Sequence, residues 1–360
     1  MNVLVINPFN DRSEVALYLS FVKAGIQVEV TCDRTAKERK NLLDAGITVT
    51  EMPIRHRLDL TAVRSLRKKL KQSKYDIIYT TLHKCLSVAL LASIGLDIKN
   101  IAYRGTVGHL NRLDPSSWLS YLNPRIDKIV CVSEAVRQYL LSLKLPAARL
   151  VTIYKGHDPS WYSEMKHPKL SEFDIPDNAF TICFTGNMRP VKGVDVLIEA
   201  IHHLPKKHNF HLLLVGNVQD QKILELAKHP YVRSRIHFTG IRNDAAAIAG
   251  ACDIFVMPSI SREGLPRSVI EAMALGKPPI VTSVGGMPEL VINNESGLVV
   301  PPCNPSAIAK AITDLADNKE KRLLIGQNAR NRISTDFNIE TTIIKMIQLF
   351  KDVAGTSNQH

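Results

Sequence analysis

The chain has 360 residues, 45% of them hydrophobic and 22% charged, with 18 glycines and 19 prolines; this excludes disordered, collagenous and coiled-coil chains and suffices for two domains. The longest uncharged apolar stretch, Cys85 to Leu96, is well short of the ~20 residues of a membrane span, and the first residues lack the basic and cleavable features of a signal peptide, so a cytoplasmic location is expected. The net charge of +12 belongs to the first half, where residues 1–160 carry 24 Lys+Arg against 14 Asp+Glu, a field that attracts nucleic acid, anionic lipid or phosphorylated substrates.

Taken in chain order, β-branched and apolar runs predict strands at Asn2–Ile6, Val28–Thr31, Ile47–Glu51, Ile77–Thr80, Asn100–Tyr103, Ile129–Val132 and Leu150–Ile153. Helix-length amphipathic stretches separate them, the pattern of a parallel sheet with crossover helices. One of these stretches lies within Arg55 to Lys74, which holds eight Lys/Arg with Leu60, Val63, Leu66 and Leu70 at helical spacing. Such a helix can lie on an anionic membrane or pack its leucines on the sheet with its lysines in water. A turn-rich stretch without periodicity, His157 to Pro168 and on through Phe173 to Asn178, marks a domain boundary. Strands then resume at Thr181–Thr185, His211–Val215, Ile236–Thr239, Ile254–Met257, Pro279–Thr282 and Gly297–Val300, and the chain ends in a helix near Ile339–Val353 and a polar tail, Gly355 to His360. Six scattered cysteines without a C-x-x-C pair read as reduced core residues.

In parallel sheets of this kind ligands sit beyond the C-terminal ends of the strands. The most informative loop there follows Ile254–Met257 and reads Ser259-Ile-Ser-Arg-Glu-Gly-Leu-Pro-Arg-Ser-Val-Ile-Glu-Ala-Met-Ala-Leu-Gly-Lys-Pro-Pro-Ile. A helix should start near Pro266 and stop at Gly276, so the N–H groups of Gly264, Leu265 and Arg267 can face an anion at a helix N-terminus. Glu263 and Glu271 flank this step; alone, they could equally be a helix cap and a solvated face. Upstream, Phe184-Thr-Gly-Asn-Met-Arg-Pro-Val-Lys-Gly is a strand followed by a loop with two cations.

These segments resemble the retaining GT-B glycosyltransferases of family 4, whose signature is a glutamate, seven residues and a second glutamate within E-G-x-P-x-x-x-x-E-A-M-A-x-G-x-P. The continuation Thr282-Ser-Val-Gly-Gly-Met-Pro-Glu-Leu-Val and Glu295-Ser-Gly-Leu-Val-Val-Pro-Pro follows the same pattern. The resemblance implies that Glu263 lies against the donor sugar, that Glu271 accepts from the ribose hydroxyls, and that the backbone at Gly264, Leu265 and Pro266 faces the diphosphate or sugar. It makes Phe184 to Gly193 the donor-phosphate loop, with Gly186 at its turn and Lys192 in its usual place. Asn187 stands where the family has arginine, so Arg189 is expected to join Lys192 in neutralising the diphosphate. Ile241 and Arg242, in Thr239-Gly-Ile-Arg-Asn-Asp, are candidates for contacts to the nucleobase, although a plain strand-to-helix turn accounts for them too.

In this family the first half carries the acceptor side, and it matches more loosely. Asn7-Pro-Phe-Asn-Asp-Arg-Ser-Glu replaces a glycine-rich turn, and Arg104-Gly105 stands where many relatives have His-Gly, with His109 five residues on. Arg104, His109 and His83 are the acceptor candidates; each could instead make a structural hydrogen bond, or, for His83, cap the next helix.

The expected architecture is α/β, two doubly wound Rossmann-like domains facing a cleft: residues 1–160 for the acceptor, 161–335 for the nucleotide sugar, and 336–360 as a helix packing back on the first domain. The expected function is retaining, metal-independent transfer from a nucleotide sugar, with UDP the default nucleotide, to a bacterial surface glycan such as lipopolysaccharide core or an O-antigen or capsule intermediate. No D-x-D triplet occurs, and no cofactor or metal is expected. Weak attachment to an anionic membrane is expected from the basic half. Nucleic acid is not expected as a partner, because aromatics make up only 6% of residues and stacking platforms are scarce. The rival readings are a GT-B UDP-N-acetylglucosamine epimerase and an inactive nucleotide-sugar-binding protein.

Overall fold

A computed structural model describes residues 1–355, which divide into two compact units, Met1–Gly156 with the segment from Ile339 onward, and His157–Asn338. The chain changes unit after residues 156 and 338, not after 160 and 335, because His157 bridges to Asn338 and donates its N–H to the Phe337 carbonyl at 2.8 Å, which pairs the two crossing segments within the second unit.

Unit 1 contains β1 (Asn2–Ile6), α1 (Arg12–Lys23), β2 (Gln27–Cys32), α2 (Arg39–Asp44), β3 (Thr48–Glu51), α3 (Leu60–Gln72), β4 (Ile77–Thr80), α4 (His83–Ala92), β5 (Lys99–Arg104), α5 (Pro115–Trp118), β6 (Lys128–Cys131), α6 (Glu134–Ser142) and β7 (Leu150–Thr152). Its seven strands run parallel in the order β3-β2-β1-β4-β5-β6-β7. Every residue of β4 is buried, as expected of a parallel strand covered on both faces, which reads as an unbroken apolar run.

Unit 2 contains β8 (Phe180–Thr185), α7 (Val194–Ile201), β9 (Phe210–Val215), α8 (Gln221–Ala227), β10 (Ile236–Gly240), α9 (Ala245–Ala251), β11 (Ile254–Met257), α10 (Arg267–Ala274), β12 (Pro279–Thr282), α11 (Met287–Leu290), β13 (Leu298–Val300), α12 (Pro305–Asp317) and α13 (Lys319–Thr335). Its sheet is also parallel, in the order β10-β9-β8-β11-β12-β13. In each unit the chain starts in mid-sheet, winds to one edge, and returns to wind to the other. The reversal falls between β1 and β4 in unit 1 and between β8 and β11 in unit 2.

The last helix, α14 (Ile339–Gly355), completes the core of unit 1. Met346, Leu349, Phe350 and Val353 are buried there, and the Phe350 ring lies 5.0 Å from Phe21 of α1 and 5.7 Å from Tyr79 of β4. A fully buried phenylalanine between two other rings leaves a large cavity when truncated. Phe350→Ala is therefore expected to destabilise the protein by ~3–5 kcal/mol, read as a lower denaturant midpoint with an unchanged slope.

The β1–α1 loop, which lacks glycine, is held by charge. Asp11 and Glu14 form a reciprocal capping box (3.1 and 2.9 Å), and Lys155 reaches both carboxylates at 2.5 and 3.3 Å. Burial opposes the charge on Lys155, but Glu14 and Asp11 outweigh it and raise its pKa above the ordinary lysine range.

Three expectations need correction or sharpening. Five cysteines are buried, but Cys303 is exposed, because it sits in the loop before α12 and not in a strand. The basic helix is shorter than its charge run: α3 buries Ala62, Leu66 and Leu70 against the unit 1 core, pins Arg67 on the Ala92 and Ile94 carbonyls and Lys69 on Glu29, and leaves Arg64, Lys68 and Lys71 exposed. The terminal helix runs two residues past Val353, and the tail beyond Gly355 lies outside the described residues. Among those residues no helix is long and apolar enough to cross a membrane.

Candidate functional site

The reversal of strand order in unit 2 brings the loops after β8 and β11 side by side, the position where doubly wound sheets bind ligands. A backbone hydrogen bond from Ile260 to the Val191 carbonyl (3.0 Å) stitches the two loops together. After β8 the chain passes Gly186, Asn187, Met188 and Arg189 into a single 3-10 turn, Pro190–Lys192, and then Gly193. Gly193 has φ +63°, and a Cβ there would lie 2.2 Å from the Pro258 carbonyl oxygen, so only glycine allows the loops this close.

The contact carries Lys192 onto Glu263. Lys192 Nζ donates to Glu263 Oε1 at 2.6 Å, with 15% and 10% of the two side chains exposed. Ser259 Oγ, fully buried, donates to the same oxygen at 2.6 Å, and the Ser259 carbonyl in turn accepts from Thr282 Oγ1 of β12. The Glu263 backbone is held from the other side by Gly285 in the β12–α11 loop: with φ +58°, its hypothetical Cβ would lie 1.9 Å from the Glu263 carbonyl oxygen. Loops after three strands thus converge on Glu263, two on its carboxylate and one on its backbone, and its Oε2 takes neither of the two carboxylate bonds.

Immediately after Glu263, the buried Gly264, Leu265 and Pro266 lead into α10. Pro266 occupies the N-cap, not the helix itself, and offers no side-chain acceptor, so the first-turn N–H groups have no side-chain cap. The other predicted residues are more dispersed. Glu271, 21% exposed, pairs with Arg267 one turn back at 3.3 Å. Arg189 is exposed, and its guanidinium makes no hydrogen bond or ion pair with a described residue. Arg242 forms a two-point pair with Asp244, 2.8 Å at each contact, over the Phe173 ring, and Ile241 is 78% exposed. Gly186, at φ +149°, is packed against by Gly216 of the next strand's loop.

In unit 1 the predicted acceptor residues lie on neighbouring loops at the strand ends. Arg104 ends β5, is 7% exposed, and donates to the Thr106 carbonyl at 2.9 Å and to the Gly108 carbonyl, with its guanidinium 4.6 Å from the Tyr121 ring centre. His109, exposed, adopts a left-handed backbone at φ +66°. His83 is the first residue of α4, and so does not cap it; the N-cap is Leu82. Its pKa lies below the ordinary histidine value, through the atoms packed around it and then the charges of Arg57, Arg104, Lys84 and His109.

Two family models match the chain: "Glycosyltransferase Family 4" over residues 15–161 and "Glycosyl transferases group 1" over residues 167–332. The chain belongs to glycosyltransferase family 4. An uncharacterised glycosyltransferase of Methanocaldococcus jannaschii is 29% identical over 231 residues, 63% of this chain and 59% of that one, so the match spans about three fifths of that relative's length. The UDP-Gal:alpha-D-GlcNAc-diphosphoundecaprenol alpha-1,3-galactosyltransferase of Escherichia coli is 24% identical over 316 residues, 82% of this chain and 80% of that one. Among solved structures, the Anabaena HepE protein in complex with UDP-glucose superposes with a TM-score of 0.81 at 20% identity, covering 98% of this chain and all of that one. The family 4 fold is thus the GT-B architecture of two doubly wound domains.

The sequence singles out Glu263 and Lys192, which the fold brings together, but not Ser259 or Gly285. The signal for Gly285 was present in the glycine pair at 285 and 286. Ser259 left none, since a serine after a strand is common and only the folded loop shows its bond.

Proposed function

We propose that this family 4 chain is a metal-independent glycosyltransferase that moves a sugar from a nucleotide sugar, UDP by default, to a glycan or glycolipid acceptor with retention of configuration. The observation that carries this reading is the Lys192–Glu263 pair at the strand-order reversal of unit 2, beside a helix N-terminus without a side-chain cap. The E. coli relative, named for a UDP-galactose donor and a lipid-diphosphate-linked acceptor, supports the choice of UDP and of a bacterial surface glycan such as lipopolysaccharide core or an O-antigen or capsule intermediate.

The chemistry follows from the side chains. A diphosphate entering at the α10 N-terminus competes for Lys192, and Arg189 brings a second cation to the same loop. Relieved of Lys192, Glu263 is an acceptor-only group suited to the hydroxyls of the donor sugar. Glu271, Ile241 and Arg242 serve the nucleoside; Arg242 does so only by leaving or sharing Asp244. In the reaction the acceptor hydroxyl oxygen bonds to the anomeric carbon on the face from which the diphosphate departs. The carbon–phosphate oxygen bond breaks, the diphosphate takes the acceptor proton, and Lys192, Arg189 and the helix terminus hold the charge that grows on the leaving group. His83, Arg104 and His109 of unit 1 hold the acceptor. The exposed Arg64, Lys68 and Lys71 of α3 supply electrostatic attachment to an anionic membrane surface in the cytoplasm, without insertion of the leucine face, and nucleic acid is not among the partners.

Melting in EDTA with UDP, GDP, ADP and their sugar conjugates tests the donor half. UDP at about 100 times its Kd should stabilise the native state by ~2.7 kcal/mol. No rise in Tm with any nucleotide would overturn the proposal. Release of UDP that needs no acceptor, or none despite binding, would favour the epimerase or the inactive binding protein.

A further inference from the structure

The strand-order reversal of unit 1 also has loops side by side at its C-terminal edge. Ile6 of β1 pairs with Thr80 of β4, and Thr80 pairs with Ala102 of β5, two residues before Arg104. The β4–α4 turn is therefore flanked by the β1–α1 loop and by the loop that follows Arg104. The segment around residues 54–57 joins this group: Lys84 Nζ donates to the Ile54 carbonyl at 2.5 Å, and Arg57 Nη1 donates to the Ser116 carbonyl and hydroxyl at 3.1 and 2.8 Å.

Three cations are thus held in place by neutral oxygens. Arg57 and Lys84 are half-buried, Arg104 is buried, and none of the three has an ion-pair partner among the described residues. The carboxylate in the field of Arg57, Asp114, is taken up in capping α5, with bonds of 2.9, 2.6 and 3.1 Å from Ser116 N, Ser116 Oγ and Ser117 Oγ. Partly dehydrated cations without counterions are costly unless a ligand supplies the charge. The hydroxyls of Thr80 and Thr81 and the Asn10 side-chain oxygen are buried without a hydrogen-bond partner among the described residues, and Thr80 is only 1% exposed. Such orphans are rare in native interiors. Finally, the ten-residue α4 begins at His83 with no side-chain cap.

We infer that this edge of unit 1 is a binding site for a phosphate-class oxyanion, held by Arg57, Lys84 and Arg104 with the α4 N-terminus, His83 and the Thr80 and Thr81 hydroxyls. Two fixed guanidinium groups and an ammonium suit a group with several charged oxygens better than a single carboxylate. The described bonds of Arg104 occupy two of its five N–H donors and that of Lys84 one of three. Together with the proposed function, on which this step rests, the site makes the acceptor a phosphorylated one: a phosphate ester on a glycan, or the phosphate that links a glycan to lipid.

The test reads His83 in the full chain by histidine-selective NMR, with the resonance assigned through His83→Gln. Titration with methyl phosphate should shift the His83 resonance saturably and raise its pKa by about 1 pH unit, since an added anion favours the imidazolium. Acetate should bind at least tenfold more weakly. Arg57→Gln and Lys84→Gln, which alter half-buried side chains and spare the Arg104 loop, should each weaken methyl phosphate at least tenfold while stabilisation by UDP persists and reports an intact fold. A His83 resonance unmoved by methyl phosphate at 50 times the UDP concentration that saturates UDP binding, or an affinity unchanged in both variants, would overturn the site. A His83 response without any nucleotide response would leave the site standing and overturn the transferase reading. Lipid-linked and free phosphate are separated by comparing phosphatidic acid vesicles with methyl phosphate: competition for the same resonance by both supports a lipid-linked acceptor, and competition by methyl phosphate alone a soluble one.

Discussion

Lys192→Ala is expected to lower transfer by about 100- to 1,000-fold, the usual cost of removing one group that stabilises charge on a leaving oxygen, and to weaken UDP in parallel. Two further consequences follow from the pair it makes. Lys192 and Glu263 are 15% and 10% exposed at 2.6 Å, so removing the cation leaves a carboxylate held by Ser259 alone. Loss of one partner of a buried pair costs ~3–5 kcal/mol, and the apo variant should melt well below the wild type. The companion variant separates binding from catalysis. Glu263→Gln removes the charge that holds Lys192 and frees the ammonium for phosphate, so UDP should bind at least as tightly as to the wild type while kcat collapses. Calorimetry with UDP on both variants, set beside turnover, is the check. If Glu263→Gln weakened UDP as much as Lys192→Ala does, the two residues would be a structural ion pair and not a switchable cation on a phosphate; wild-type turnover in Glu263→Ala would remove Glu263 from the site.

The thirteen strands were legible in the sequence because parallel strands are buried on both faces and leave short apolar runs bounded by turn formers. The E-x7-E segment was legible for a different reason: it resembles the family signature position by position, its glycines and prolines included. What could not be read is which side chains meet. Ser259 and Lys192 are 67 positions apart and reach the same carboxylate oxygen only because β8 and β11 are neighbours in the sheet. Arg242 read as a free contact for a base but is paired with Asp244 two residues on, a local bond that competes with any ligand. Arg57 and Lys84 were counted only as charge. Their significance lies in what they lack, a counterion, and that is visible only when every neighbour is in place.

Gly285→Ala should be nearly as damaging as removal of Lys192, although residue 285 has no side chain to offer a ligand. Its backbone sits at φ +58°, which costs an alanine ~1–2 kcal/mol, and that strain alone would be tolerated. The decisive contact is the new Cβ, placed 1.9 Å from the Glu263 carbonyl oxygen. Non-bonded carbon and oxygen need more than 3 Å, and the obstacle is backbone, so one loop must retreat by over ~1 Å. Glu263 holds two 2.6 Å bonds on one oxygen, and a displacement of that size breaks or lengthens both. Misplacing a group by 1 Å costs about 100-fold in rate, the loss expected for Gly285→Ala, with UDP affinity less affected because Lys192 sits on another loop. Gly276→Ala provides the control: the same left-handed backbone at φ +71°, but an ordinary contact of 3.7 Å to the Gly326 carbonyl oxygen. It should lose a few degrees of Tm and keep its activity. Equal activity in the two variants would show that the Gly285 loop does not position Glu263.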